Sequence, residues 1–294
     1  MGQRTGATML GFNAAMNQTL PAPALIAGPP PQFFGTMEAR LCQTQAERRA
    51  TQLLRYKVFY EDMGATPLPQ YLPEKREFDR YDDICDTLLI IDHARGGGDD
   101  AVVGTYRLIR ADAAAKVGGF YTAQEYDIAP ILGFTGNLLE LGRSCVHPDY
   151  RNRPTMQLLW RGLAAYVFYH KIDLMFGCAS FPGLDPNAYT QELAYLHHFH
   201  PCPANIRPRC LPQFYQTMDL LPKDQVDAKA ALHNLPPLIK GYMRLGGTFG
   251  DGAYIDRQFN TIDVLVMVQT ANMTEKYFRY YERTTNMDSE PEAG

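Results

Sequence analysis

From Thr44 onward the chain switches repeatedly between helical and strand periodicity. Thr44 with Glu47 three residues later forms a capping-box pattern, in which each side chain satisfies a free amide of a first helical turn. Ala46, Ala50, Leu53, Leu54, Val58 and Met63 then recur at helical spacing, and Gly64 is placed to end that helix. A loop through Pro67, Pro69 and Pro73 leads to the acidic stretch Glu77-Phe-Asp79-Arg-Tyr-Asp82-Asp83. Two apolar runs, 87–92 and 101–109, are joined by Gly96-Gly97-Gly98-Asp99, the pattern of an antiparallel hairpin. A third strand is expected over 138–146, stopped by His147-Pro148. A helix follows over 154–170, with Leu159, Leu163, Tyr166 and Val167 on one face and Pro154 tolerated at its start. Residues 172–181 read as a buried strand cut by Pro182-Gly183.

The rest of the pattern is a helix near 189–198, a proline-rich loop, and a helical stretch over 226–245 interrupted at Pro236-Pro237. A strand around 262–269 and a last amphipathic helix over 274–283 complete it. The order helix, three strands, helix, strand is a mixed α/β pattern, and no internal repeat is visible. Residues 1–36 are rich in Gly, Ala and Pro without periodicity, so a disordered extension is expected there. The expected organisation is one domain over 37–284, with a core of about 37–205, a C-terminal α+β extension of about 206–284, and an acidic tail over 285–294.

Composition narrows the function classes. With 294 residues, 46% hydrophobic and 20% charged, the chain can bury a sizeable core. Twenty-eight Lys and Arg against 32 Asp and Glu give a net charge of -4, which argues against a nucleic-acid partner. The six cysteines are scattered without a Cys-x-x-Cys pair, the usage of free thiols in a reducing compartment. Arg4 is the only early cation and Pro21 and Pro23 break the first apolar stretch, so no secretory leader is expected. No run approaches the roughly 18–20 apolar residues of a membrane span, which places the protein in the cytosol or against a membrane from the cytosolic side.

The segment Glu140-Leu-Gly-Arg143-Ser-Cys-Val-His-Pro-Asp-Tyr-Arg151 carries the chemistry. On a regular strand Glu140, Gly142 and Ser144 share one face while Leu141, Arg143 and Cys145 share the other. If Glu140 and Arg143 serve one site, the alternation must break, and Gly142 is where a bulge is tolerated.

A strand ending in Val146-x-Pro148-x-Tyr150-Arg151, then a long helix and a buried strand, resembles the core of the GNAT acyltransferase superfamily. That resemblance implies a three-layer αβα fold around a mixed, mostly antiparallel central sheet. The superfamily's pyrophosphate loop, Arg/Gln-x-x-Gly-x-Gly/Ala, is replaced here by Arg151-Asn-Arg153-Pro154-Thr155-Met156, without glycine. The departure points away from coenzyme A and towards a phosphopantetheine arm presented by acyl carrier protein. Arg55-x-x-x-Phe59, Asp79-x-x-Asp82, Arg107 and Glu140-x-x-Arg143 follow the order seen in acyl-homoserine-lactone synthases.

A closer resemblance, over about 38–283, is to the ornithine N-acyltransferases of bacterial lipid synthesis. It rests on Glu140-Leu-Gly-Arg-Ser-Cys-Val, Gly177-Cys-Ala-Ser-Phe, Leu235-Pro-Pro-Leu-Ile-Lys-Gly-Tyr242, Gly250-Asp-Gly and Phe259-Asn-Thr-Ile-Asp263. It implies transfer of a 3-hydroxyacyl group from acyl carrier protein to the α-amine of ornithine, giving lyso-ornithine lipid in the bacterial cytoplasm. No cofactor is bound; the acyl-carrier-protein thioester is a co-substrate. A neighbouring branch acylates glutamine or glycine.

Aminolysis of a thioester needs a neutral amine, a polarised carbonyl and a protonated leaving thiol. Glu140 is the expected base, set against a structural carboxylate paired with Arg143 or Arg107. Arg143 belongs with it, and Ser180 is either the proton donor to the leaving thiolate or a plain strand-end hydroxyl. Asp79 and Asp82 suit the cationic acceptor and Arg107 or Arg143 its carboxylate, with Arg55 and Phe59 completing that set by their place in the resembling order. Four Arg (Arg143, Arg151, Arg153, Arg161) against one acid, Asp149, make 143–161 a basic stretch suited to acidic acyl carrier protein. Val146, Arg151, Arg153 and Thr155 are the expected donor-arm residues. No metal is expected, and His197-His198-x-His200-x-Cys202 reads as a polar loop. Lys276, Arg279 and Arg283 among aromatics in the last helix suit peripheral contact with inner-membrane lipid. Two further readings compete: a homoserine-lactone-synthase-like signal maker, disfavoured by the extra chain beyond 206, and a non-catalytic GNAT-like module binding lipid or acyl carrier protein.

Overall fold

The computed structural model describes residues 28–272. The chain opens with strands β1 (Gln32–Phe34) and β2 (Met37–Leu41), then helix α1 (Gln45–Tyr56). The Thr44–Glu47 capping box is present, with both reciprocal hydrogen bonds made. α1 does not run on regularly to Gly64: at Lys57–Asp62 it widens into a π-helical turn that carries Phe59. Then come β3 (Asp86–Asp92), β4 (Val102–Arg110), α2 (Ala111–Ala115), β5 (Tyr126–Asp127), α3 (Ala129–Leu132) and β6 (Leu138–Val146). The second half holds α4 (Arg153–Tyr169), β7 (Leu174–Pro182), α5 (Thr190–Phe199), β8 (Arg209–Cys210) and β9 (Tyr215–Gln216). It closes with α6 (Ala228–Asn234), α7 (Pro237–Arg244), β10 (Thr248–Asp256) and β11 (Thr261–Gln269).

All the strands join one sheet in the order β1-β2-β3-β4-β6-β7-β11-β10-β8-β5, with β9 alongside β10. Pairing is antiparallel except at β6–β7 and β8–β10. The mixed, mostly antiparallel sheet with helices on both faces is the GNAT-like α/β arrangement the sequence points to. β3 shows why its run is continuously apolar: Leu88 and Ile90 pack in the core beneath α4, while Leu89 and Ile91 pack against Ala50, Leu54 and Val58 of α1 on the other face. α5, α6 and α7 extend the α4 layer, contributing Leu193, Leu196, Ala231, Leu235 and Ile239 to the same core. The residues after 206 extend the same sheet, because β11 pairs with β7 along its whole length, from Thr261↔Pro182 to Gln269↔Leu174.

Two sequence expectations need correction. The extension expected through residue 36 gives way earlier, because Gln32–Phe34 pairs with Met37–Leu41 across a turn at Gly35. β10 was not foreseen: Gly250 and Gly252 interrupt its apolar alternation, and its register shifts between Phe249 and Ala253. The stretch 226–245 breaks where the prolines predict: Leu235 is extended and Pro236 caps α7 from outside, leaving two helices. The rest of the extension (1–27), the expected helix 274–283 and the tail 285–294 lie outside the described residues. Among the described residues no helix is long and apolar enough to cross a membrane.

Candidate active site

β6 and β7 run parallel but pair only at Leu138↔Leu174, Leu139↔Met175 and Glu140↔Phe176. Beyond Glu140 they fork, and two features of the chain make the fork. At its crotch a Cβ on Gly177 would lie 2.1 Å from the Leu141 carbonyl oxygen, so the two backbones approach as only glycine permits. On its other edge β6 is bulged: Cys145 pairs with Thr105 and Gly142 with Arg107, so Arg143 and Ser144 stand against Tyr106 alone. The bulge shifts side-chain parity, putting Leu139, Leu141 and Val146 in one core although 141 and 146 are an odd number apart. The expected break is therefore real, but the left-handed residue is Arg143 (φ 51°), one position beyond the glycine. Glu140 and Arg143 consequently reach the same cavity.

That cavity, of about 220 Å³, is lined by Phe59, Arg107, Glu140, Arg143 and Ser180 among others. Behind its cationic wall lies a chain of ion pairs. The fully buried Arg55 grips Asp82 through two 2.8 Å hydrogen bonds and Glu77 at 2.5 Å. Glu77 reaches Arg143 at 3.0 Å; Asp79 lies 3.5 Å from Arg143 and takes two bonds from Arg107, at 2.8 and 2.7 Å. Three guanidinium groups thus balance three carboxylates. Burial pushes the Asp79 and Asp82 carboxyls up, but Arg107 and Arg143 for Asp79, and Arg55 for Asp82, outweigh it and hold both below their ordinary value. The Arg143 guanidinium also lies 4.7 Å from the ring centres of Tyr121 and Phe259, which fixes a side chain whose backbone is strained. Arg55, Asp79 and Asp82 are not on the cavity surface. They hold Arg107 and Arg143 in place from behind, which only the tertiary closure of α1 on the acidic stretch reveals.

Glu140 pairs with neither arginine. Its carboxylate accepts from the backbone amides of Tyr121 (2.8 Å) and Thr122 (2.5 Å) and from the Thr122 hydroxyl. Burial raises its pKa, against the pull of those hydrogen bonds. A carboxylate has about four acceptor positions, so three bonds leave one directed elsewhere. Ser180 is exposed on β7, opposite Asp263 of β11. Phe59 meets Phe259 edge-on at 5.5 Å.

A second acidic group escaped the sequence analysis. Glu125, Asp256 and Asp263 come from three separate segments, are buried, and line the same cavity with carboxylate oxygens within 4.8 Å of one another. Asp263 lay inside a resembling motif, but nothing along the chain shows that Glu125 and Asp256 join it. Such a set has the composition to hold a cation. His197, His198 and Asp219 are likewise close enough to share an ion. His200 turns instead to the Tyr195 hydroxyl at 3.0 Å, and Cys202 accepts from Thr248.

The basic stretch is partly consumed by the fold. Arg143 enters the ion-pair chain, Arg161 bonds the Phe33 carbonyl at 3.1 Å, and Arg151 meets Asp62 at 2.5 Å. Arg153 is exposed in the first turn of α4. Thr155 is fully buried with its hydroxyl bonded to Asn152, the N-cap, and Val146 sits in the core with its carbonyl facing Arg151. The fold thus turns Thr155 and Val146 away from a donor arm and leaves Arg151 and Arg153 at the surface.

The family model for the acetyltransferase (GNAT) domain matches residues 54–161, from the last turn of α1 through the hairpin and the bulged strand to the middle of α4. The L-ornithine N(alpha)-acyltransferase of Rhodobacter capsulatus is 47% identical over 84% of this chain and 95% of its own. That of Brucella abortus is 46% identical over 86% of this chain and 91% of its own, and that of Agrobacterium fabrum 45% over 84% and 86%. Identity at this level, over most of this chain and of its relatives, places the chain in the L-ornithine N(alpha)-acyltransferase family.

Proposed function

We propose that this chain transfers a fatty acyl group, 3-hydroxylated as the resemblance implies, from acyl carrier protein to the α-amine of L-ornithine, releasing lyso-ornithine lipid. The observation that carries this is the cavity at the β6–β7 fork, lined both by guanidinium groups (Arg107, Arg143) and by carboxyl groups (Glu125, Glu140, Asp256, Asp263). A diamino acid presents the complementary set: one carboxylate and two ammonium groups. Arg107 and Arg143 receive the carboxylate. Glu140 takes the proton that the α-ammonium must lose, directly or through water, and the neutral amine attacks the thioester carbonyl. Beyond Glu140 the β7-facing backbone of β6 has no strand partner, and an amide there polarises that carbonyl. The tetrahedral intermediate expels the pantetheine thiolate, and the proton given up by the attacking nitrogen passes to the sulfur, with the Ser180 hydroxyl as relay. Direct transfer fits a site whose cysteine, Cys178, has its thiol pushed well above its ordinary value by burial.

The donor approaches from the α4 end, where exposed Arg151 and Arg153 meet the acidic carrier and its phosphate. The segment 274–283, with its Lys, Arg and aromatic residues, supplies peripheral contact with anionic lipid on the cytoplasmic face of the inner membrane. The test is incubation of the purified full chain with 3-hydroxyacyl carrier protein and a panel of amino acids, with products read by mass spectrometry. Acyl-ornithine is expected, and absence of any acyl-amino acid overturns the proposal. Glu140→Gln should lower kcat by about 100-fold or more; full turnover removes the base assignment and leaves the overall reaction standing.

A further inference from the structure

Glu125, Asp256 and Asp263 serve neither the ion-pair chain nor the thioester. Glu125 ends the helical turn Tyr121–Gln124, Asp256 ends β10, and Asp263 is third on β11. They are 5%, 6% and 7% exposed, yet among the described residues none forms a salt bridge. Their neighbours satisfy them only in part. The Cys178 thiol donates to Glu125 at 3.1 Å, and Asp256 Oδ1 accepts from the amides of Gln258 and Phe259 at 2.8 and 2.9 Å. Asp263 Oδ1 is buried without a hydrogen-bond partner, while the Ser180 and Thr261 hydroxyls lie against the same carboxyl group. Three carboxylates desolvated at one point repel one another, and a shared cation relieves that repulsion.

The geometry points to Glu125, Asp256 and Asp263 as the subsite for the side-chain ammonium of the acceptor, a device that selects diamino acids over neutral ones. The inference rests on the acyl-transfer reading above and adds the groups that read the acceptor's side chain. An ammonium has three N–H donors, and three carboxylates face one point. With N···O near 2.8 Å, a tetrahedral ammonium sets its acceptor oxygens about 4.6 Å apart, inside the 4.8 Å limit observed. Arg107, Arg143 and Glu140 line the same cavity as the three acids. A guest with its terminal ammonium at the three acids and its carboxylate at the arginines keeps its α-amine inside that cavity with Glu140. In the empty cavity burial pushes Glu125 up to about 8 and Asp263 up to about 6. The arriving ammonium takes the place of a held proton.

The test compares L-ornithine with L-norvaline, the same carbon chain without the terminal amine, as acceptors for the wild-type full chain, Asp263→Asn and Glu125→Gln. Wild type should prefer ornithine by at least about 100-fold in kcat/KM, since a buried site built for a donor rejects the analogue that lacks it. Each variant should cut that ratio to below about 10-fold, chiefly through the KM for ornithine. Circular dichroism confirms folding, and either variant alone suffices if the other fails to fold. A ratio unchanged in the folded variant, or equal loss on both acceptors, overturns the inference. If wild type acylates no amino acid, the broader proposal fails while calorimetry still decides this one. Ornithine binding at least 10-fold tighter than norvaline, and lost in the variant, supports the subsite; equal binding of the two, or none, refutes it. Stoichiometric Mn²⁺ binding that Asp263→Asn abolishes would make the cluster a metal site and also overturn it.

Discussion

Gly177→Ala tests the fork itself. The added Cβ would meet the Leu141 carbonyl oxygen at 2.1 Å, its carbon at 3.1 Å and its amide nitrogen at 3.4 Å. All three are backbone atoms, so no side chain can swing aside. Relief to an ordinary carbon–oxygen contact of about 3.2 Å requires β6 and β7 to separate by about 1 Å where they are already diverging. Overpacking of this kind costs about 1–3 kcal/mol, or more where only backbone can yield. In a domain of this size that lowers Tm by roughly 3–10 °C. The catalytic loss should exceed the stability loss: Glu140 and the bulge sit on the displaced strand, and a misplacement of about 1 Å costs on the order of 100-fold in rate. Differential scanning calorimetry and kcat at saturating acyl carrier protein read the two effects. Gly133→Ala is the control, because its Cβ finds only ordinary contacts at 3.6 and 3.7 Å, and it should shift Tm by less than about 2 °C. A Gly177→Ala protein with wild-type Tm and kcat would refute the close approach as the origin of the fork.

Arg55→Leu should cost about 3–5 kcal/mol in urea unfolding, since Asp82 is left buried without its partner and Glu77 keeps only Arg143; a loss under about 1 kcal/mol would mean that the ion-pair chain is not stabilising as arranged. The stability of the ligand-free protein should fall as pH rises from about 4 to 8, because Glu125 (up to about 8) and Asp263 (up to about 6) hold protons in the folded state that the unfolded chain has released. The groups facing them are Asp256, Cys178, Ser180, Thr261 and the more distant Arg143. Glu125→Gln should flatten that slope, an effect on the order of a few kcal/mol, and an unchanged slope in thermal melts across the range would contradict the assignment. Arg153→Ala should raise KM for acyl carrier protein by about 3–10-fold and weaken its salt dependence, and unchanged donor kinetics would remove Arg153 from the docking surface.

The sequence by itself determined the elements that local physics dictates and the residues that chemistry requires on one strand. The Thr44–Glu47 cap, the hairpin around Gly96–Gly98, the long helix after Pro148 and the apolar strand 172–181 all depend on neighbours within a few turns, so they were legible along the chain. The need for a break near Gly142 was legible too, because Glu140 and Arg143 have opposite parity on an unbroken strand. Tertiary structure decided the rest. A bulge forms against a partner strand, so only β4 could place the extra residue at Arg143 instead of at the glycine. Asp79, Asp82 and Arg55 looked like acceptor ligands because charge along a chain does not say which charges neutralise each other. Once α1 closes over the acidic stretch, they are spent on the arginines behind the cavity. The same blindness hid Glu125, which lies far along the chain from Asp256 and Asp263 and shares one desolvated point with them only because β10 and β11 complete the sheet beside β7. Local periodicity is a property of the chain; which carboxylates are left without a cation is a property of the folded surface.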